Sequence, residues 1–240
     1  QAGSIYPQQL KDQILEHPLI QFKHAHIHSI VQSNHHQLTL QNSQHTDLGD
    51  FNHVIVCCAK ESHAFFDQFP ILKPIRGQVS WLNNVKHRLD PQYAYSYGGY
   101  CMQLDEQHLI LGASFYPNRD DTEVLLEDHV HNYELIHSVF PQYAESLCKV
   151  DEWHGRASVR AQSLDYFPLL GKVEAEKEIY TFSGLGSKGF LFAPLCSEIL
   201  VALVLNQACP IPQNLLQKLS PNRFQKKVKA KKPYFKPIQS

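Results

Sequence analysis

Gly184-Leu-Gly-Ser-Lys-Gly189 sets three glycines at GxGxxG spacing between a strand-like run, Glu178 to Ser183, and a long apolar helix-like run, Gly189 to Leu205. Glycines there let backbone amides and a helix N-terminus approach an anionic or polarised group such as a pyrophosphate. An opening nucleotide-binding turn also needs a further strand and an acidic ribose-binding residue about 20 residues on, and no Asp or Glu follows Glu198. The loop is therefore not such an opening turn. It either closes over a cofactor held elsewhere or is a glycine turn that lets strand and helix meet. Arg160, in Ser-Val-Arg160, comes just before a turn marked by Asp165, Pro168 and Gly171. Its guanidinium suits two-pronged capture of a carboxylate; a surface pair with Asp165 is the other reading. His24, His26 and His28 alternate, so on a strand they share one face. With no Cys or carboxylate at a matching spacing, that face is expected to be solvated and not to hold a metal. Cys57-Cys58 is expected in the core. No GxSxG, HExxH or Walker A sequence occurs.

The elements that must position these residues can be read from the same 240-residue sequence. Its 43% hydrophobic and 11% aromatic content suffices for a sizeable core and excludes a disordered tail or a disulfide-stapled miniprotein. The net charge of -1 hides a split: residues 199–240 hold eight of the 22 basic side chains and none of the 23 acidic ones, leaving about -9 before them. Six cysteines without short spacings predict reduced thiols and a cytoplasmic protein. The Gly189 to Cys209 run contains Ser197 and Glu198, which predicts a buried helix and no membrane partner. Because the chain starts at Gln1, it is expected to belong to something longer. Pro7 to Pro18 predicts a short helix, Leu19 to Val31 a long strand, Leu38 to Leu40 its hairpin partner, and Asp47 to Asn52 a turn. His53 to Ala59 reads as a strand buried on both faces of a parallel sheet, next to Tyr180 to Ser183. Aromatic-rich runs at Gly77 to Leu82, Tyr93 to Leu104 and His108 to Phe115 predict a mostly antiparallel sheet. Thr122 is the expected cap of a helix whose stripe is Leu126, Val130, Tyr133, Ile136 and Phe140, ending at Pro141. The fold class is α/β (α+β).

The order Gly3-Ser-Ile-Tyr-Pro7, the strand ending at Ala59, Pro74-Ile-Arg-Gly-Gln-Val79, Ser158-Val-Arg160 to Gly171, and Gly184 to Gly189 resembles the C-terminal part of the amine and amino-acid oxidase flavoproteins, the family of glycine oxidase and D-amino-acid oxidase. Four further segments narrow the resemblance to the FAD-dependent oxidoreductase half of the bifunctional tRNA 5-methylaminomethyl-2-thiouridine biosynthesis family. They are Tyr97-Gly-Gly-Tyr100, Leu111-Gly-Ala-Ser-Phe-Tyr116 with Asp121-Thr122, Ala193-Pro-Leu-Cys-Ser-Glu-Ile199, and Ser220-Pro-Asn-Arg-Phe224. That resemblance implies a Rossmann-like FAD domain, 1–70 and 155–224, interrupted by an antiparallel substrate-binding sheet with a helix, 71–154, and followed by a basic tail, 225–240. Ser187 and Lys188 depart from the small-substrate oxidases. It also implies a dinucleotide-binding turn before Gly3 and, further upstream, an S-adenosylmethionine-dependent methyltransferase, so that FAD binding by this chain alone is expected to be weak. The implied chemistry is oxidative removal of the carboxymethyl group from 5-carboxymethylaminomethyl-(2-thio)uridine at the tRNA wobble position. Arg160 would hold the substrate carboxylate and Tyr100 would line its pocket. Ile27 and the loop Gly184, Leu185, Gly186, Ser187, Lys188, Gly189, Phe190 and Leu191 would contact FAD. A small-amine oxidase of the glycine or sarcosine type and a non-catalytic RNA-binding fragment remain the alternatives.

Overall fold

A computed structural model describes residues 5–32 and 37–225; the basic stretch 226–240 lies outside them. Helix α1, Pro7–Leu15, starts at proline, whose fixed φ suits the first turn. Strands β1 (Ser29–Gln32), β2 (Leu38–Gln41) and β3 (Asp47–Phe51) form an antiparallel meander. Two expectations change here. The long strand from Leu19 shrinks to Ser29–Gln32, because only those residues have partners on the short β2. The expected turn at 47–52 is a strand paired with β2, with a register shift at Leu40/Gln41.

Strand β4 (Val54–Val56) leads into a 3-10 turn, Ala59–Phe65. Next comes β5 (Lys73–Leu82), the long strand of a six-stranded sheet that also holds β6 (Ala94–Ser96), β7 (Tyr100–Gln103), β8 (Leu109–Gly112) and β9 (Tyr116–Pro117). Helices α2 (Leu126–Val139) and α3 (Pro141–Glu145) follow. Strand β10 (His154–Gln162) then closes that sheet, pairing antiparallel with β5 over its whole length. It carries the sheet past the division expected after residue 154. Strands β11 (Leu169–Lys172) and β12 (Ile179–Ser183), helix α4 (Gly189–Val204) and helix α5 (Gln213–Leu219) complete the chain. In a third sheet, of three strands, β12 pairs antiparallel with β11 and parallel with β4.

The register gives the six-stranded sheet two unlike faces, since opposite residues of an antiparallel pair share a side. Arg76, Gln78, Ser80 and Leu82 of β5 lie with Cys101, Leu109 and Leu111 on a face covered by α2 and α3. Much of that interface is polar. Arg76 is fully buried and donates to Asp128, Asp121 and the Glu123 carbonyl, while Ser80 Oγ meets His129 Nδ1 at 2.7 Å and accepts from Asn132. Thus α2 buries Asp128, His129, Asn132 and Ile136, and leaves Leu126 and Val130 of the expected stripe exposed. Nor does Thr122 cap it: residues 121–125 are irregular, with Asp121, Glu123 and Leu125 bonded to Arg76 and Gln78, and the helix starts uncapped after the extended Leu125.

Strand β4 does lie beside β12, but as the outer strand, with Ile55 exposed. Val56 is buried while Ile55, on the opposite face, is exposed, so the double-sided burial expected for 53–59 is not found. Cys57 and Cys58 are likewise exposed where core positions were expected, because the chain turns out of the sheet after Val56. His24, His26 and His28 are exposed as expected, on irregular chain and not on a strand. Helix α4 buries only Cys196, Ile199, Leu200 and Ala202 against the sheet and α5. Phe190, Leu191, Leu195 and Val201 stay exposed, so the wholly buried helix becomes a one-sided one. By length and composition Gly186–Val204 is the single stretch among the described residues apolar enough to cross a membrane.

Candidate functional site

The second face of the six-stranded sheet is open. Along β10 its residues grade from exposed (His154, Arg156, Ser158) through half-buried (Arg160) to buried (Gln162), while the intervening Ala157 and Ala161 point into the protein. Their cross-strand partners Trp81, Val79, Gly77 and Ile75 lie on the same side. Arg160 lies across β5 at Gly77, where any Cβ would collide with its guanidinium and with the Ser114 carbonyl. The same device recurs on the neighbouring strand β8: a Cβ at Gly112 would strike the ring of its cross-strand partner Tyr100. Glycine at 77 and 112 thus makes room for these two larger side chains.

Arg160 Nη1 is buried with no hydrogen-bond partner among the described residues. The alternative pairing with Asp165 is not formed, because Arg223 grips that carboxylate with Nε at 2.8 Å and Nη2 at 2.7 Å. Arg223 also donates to the Phe167, Pro168 and Ser220 carbonyls, which ties the 165–168 turn to the 3-10 turn Pro221–Phe224. Its hydrogen bonds hold the Asp165 carboxyl below the usual carboxylate range. Burial raises the Tyr100 phenol above its ordinary value, and the nearby Arg160 charge partly opposes this. Near neutrality, then, Tyr100 is protonated and able to donate, and Arg160 has a buried Nη1 without a partner among the described residues.

The glycine loop folds over the buried end of this row. Gly184 and Gly186 have φ of +70° and +56°, a region in which glycine is favoured. Leu185 bridges to Gln162, and a Cβ at Gly186 would overlap the Gln162 side-chain amide. Gln162 Nε2 is buried with no partner among the described residues. Ser187, Lys188, Phe190 and Leu191 are exposed, Lys188 ends the 3-10 turn Gly186–Lys188, and α4 begins at Gly189 without a side-chain cap or an acid in its first turn. Its first amides are therefore free to meet an electron-rich group. The loop stands at the carboxyl end of the parallel pair β4/β12, the edge at which open α/β sheets bind ligands.

Beyond Tyr100 the open face borders a cavity of about 770 Å³ between the start of α1 and β6–β8, lined by Tyr6, Tyr93, Tyr100, Met102 and Ile110 among others. Ile27, by contrast, is half-buried in irregular chain before β1 and shares no element with the loop. The structure thus brings Arg160, Tyr100 and Gly184–Leu191 to one side of the molecule. Gln162 and Gly77 were missed from sequence. Period two from Arg160 points to Gln162, whereas nothing local marks Gly77 before its register is known. No cluster of three or more His, Cys, Asp or Glu is placed to hold a metal among the described residues.

Arg160 Nη1 and Gln162 Nε2, both buried without a partner among the described residues, and the uncapped start of α4 form a donor set suited to a ligand rich in hydrogen-bond acceptors. The profile of the DAO family, FAD dependent oxidoreductase, matches residues 8–203. Over 98% of its length the chain is 59% identical to a "tRNA 5-methylaminomethyl-2-thiouridine biosynthesis bifunctional protein MnmC" of Acinetobacter baylyi, and covers 37% of that protein. A protein of the same name from Psychrobacter cryohalolentis is 29% identical over 93% of the chain, which spans 35% of it. The chain thus spans little more than a third of these relatives. Among solved structures, glycine oxidase from Geobacillus kaustophilus superposes with a TM-score of 0.66 at 16% identity, over 82% of this chain and 52% of that one. Iminodiacetate oxidase from Chelativorans gives 0.63 at 16% identity, over 80% and 52%. At such identities these two likenesses speak for the fold alone.

Proposed function

The chain belongs to the FAD-dependent oxidoreductase family, and from that premise we propose that it is the oxidoreductase part of a tRNA-modifying enzyme, removing the carboxymethyl group from 5-carboxymethylaminomethyl-(2-thio)uridine at the wobble position. The observation that carries this reading is Arg160: a cation with a buried, unpartnered nitrogen, beside a protonated tyrosine, on the open face of the sheet. A substrate carboxylate supplies the missing acceptors, and Arg160 meets it with paired donors. The Tyr100 hydroxyl donates to the same end. Gly184 to Leu191 and the Gln162 amide are the donors offered to FAD, and the resemblance adds Ile27 as a further contact. FAD, when bound, supplies the two-electron acceptor for a hydride equivalent from the carbon beside the amine. The protein's share is to fix that carbon by gripping its carboxylate, and to keep the loop closed over the reacting end. The imine left after oxidation takes up water and splits, giving the free aminomethyl-uridine and glyoxylate. The freed amine is then open to methylation by an S-adenosylmethionine-dependent domain. The choice of tRNA over a small amine rests on the likeness to the bifunctional relatives.

The test is to supply FAD and wobble-modified tRNA to the polypeptide carrying this chain, and to follow glyoxylate release with conversion of the carboxymethylaminomethyl nucleoside. Both should rise together. Turnover of free glycine or sarcosine with tRNA untouched would replace this reading by that of a small-amine oxidase, and RNA binding without flavin binding by that of a binding fragment.

A further inference from the structure

We propose that the exposed end of the open face, Arg156 with His154 and Trp81, is a track that binds the RNA strand flanking the reacting nucleotide; the proposal rests on the tRNA reading above. Register puts His154 opposite Trp81, Arg156 opposite Val79 and Arg160 opposite Ile75, all on the side away from α2. The His154 and Trp81 rings are stacked, with centroids 5.9 Å apart and 22° between planes. Arg156 is exposed, and no ion pair among the described residues uses it, although eight other basic side chains besides histidine are so engaged. The row is closed at one end, where the glycine loop covers Gln162. It is open at the other, where His154 and Arg156 are exposed.

Size decides what such a row can serve. Four residues of strand separate Arg156 from Arg160, about 13 Å at about 3.3 Å per residue. An amino acid or small amine held by its carboxylate at Arg160 ends well short of Arg156. A polynucleotide whose modified base enters at Arg160 continues past it, and needs a cation for phosphate and an aromatic surface for an unstacked base. Arg156 and the Trp81–His154 pair supply those two things in that order, on one rigid strand pair.

The protein carries only two tryptophans, and Trp153 is buried in the core with its Nε1 donating to the Cys148 carbonyl, so Trp81 is a built-in reporter. Titration of the full chain with an anticodon stem-loop RNA should quench tryptophan fluorescence, and Trp81→Phe should abolish the quench. Affinity measured over a range of salt should show that Arg156→Ala weakens binding and flattens the log-log salt slope by about 0.7, the loss of one phosphate contact. Arg156→Lys, which keeps the charge, should preserve the slope. Arg156 is exposed and Trp81 half-buried, and matching far-ultraviolet circular dichroism will establish that the variants are folded. RNA binding with an unchanged slope in Arg156→Ala, or without any Trp81-dependent quench, would overturn the track and leave the tRNA reading standing. Failure of the unaltered chain to bind RNA at any salt would overturn both.

Discussion

Arg160 shows how little of a side chain's role is contained in its own neighbourhood of sequence. Ser-Val-Arg160 and Asp165 are five residues apart and suggest a local ion pair, yet Asp165 is occupied by Arg223, more than fifty residues on. That leaves Arg160 with a buried nitrogen over Gly77 that has no partner among the described residues. If a substrate carboxylate completes it, Arg160→Ala in the flavin-loaded polypeptide raises KM far more than it lowers kcat, at a cost of about 2 to 4 kcal/mol, because a desolvated charge loses its partner. Arg160→Lys recovers only part of this, since an ammonium cannot reproduce the fork. Steady-state kinetics of the two variants will decide, and unchanged constants in both would remove Arg160 from the site. The residue types were legible from sequence because arginine and glycine announce their chemistry. Gln162 and Gly77 were not, because what matters is what stands opposite them across β10 and β5, and register is a long-range property.

Strand β5 and helix α2 are joined by polar contacts where an apolar seam was expected. Arg76 is fully buried, paired with Asp128 at 2.6 Å and with Asp121 at 2.7 Å at the rim. Arg76→Met therefore leaves Asp128 buried and charged, and should cost about 3 to 5 kcal/mol in urea unfolding. Adding Asp128→Leu to Arg76→Met should restore much of that loss, because the orphaned charge is gone. Nearby, burial holds the His129 imidazole below its ordinary value, the Asp128 carboxylate opposes this and His154 reinforces it. The unfolded chain then takes up its proton first as pH falls below about 6.5, so native stability is complete above that pH and declines below it, down to the native pKa. His129→Gln should flatten that decline in thermal melts across pH 5 to 7. Elements with strong local signals were readable: Pro7 opens a helix, Gly98-Gly99 separates two short strands, and Ile179–Ser183 runs into the glycine loop and α4. Errors arose where partners decide. Leu19 to Ile27 had the composition of a strand but no strand partner among the described residues, and α2 turned its polar stripe inward because Arg76 and Ser80 were there to receive it.

At the scale of the whole molecule the charge is divided along the chain, and the division makes a prediction of its own. Residues 226–240 hold Lys226, Lys227, Lys229, Lys231, Lys232 and Lys236 with Tyr234 and Phe235 among them, and no acid. Up to Glu198 the chain is acidic in balance, so general attraction to a polyanion cannot come from there. Local cations such as Arg156 have to act by position, and the terminal stretch by number. Lysines neutralise phosphates while interleaved aromatic rings stack on unpaired bases. If the stretch contributes to tRNA binding, most of its contribution is counterion release, and four to six phosphate contacts give a log-log salt slope of about -3 to -4 for single-stranded RNA. Removing residues 226–240 leaves the Arg223 clamp on Asp165 and the 3-10 turn Pro221–Phe224 in place, so the melting temperature should be unchanged. The truncated chain should bind tRNA weakly with a shallow salt slope and should lose its advantage chiefly at low salt. The flavin-loaded polypeptide without these residues should still oxidise a small carboxylate-bearing amine as before. Arg156→Ala subtracts about one contact from the slope in either background, so the two effects should add. Identical salt curves for intact and truncated chains would assign binding to the folded body alone.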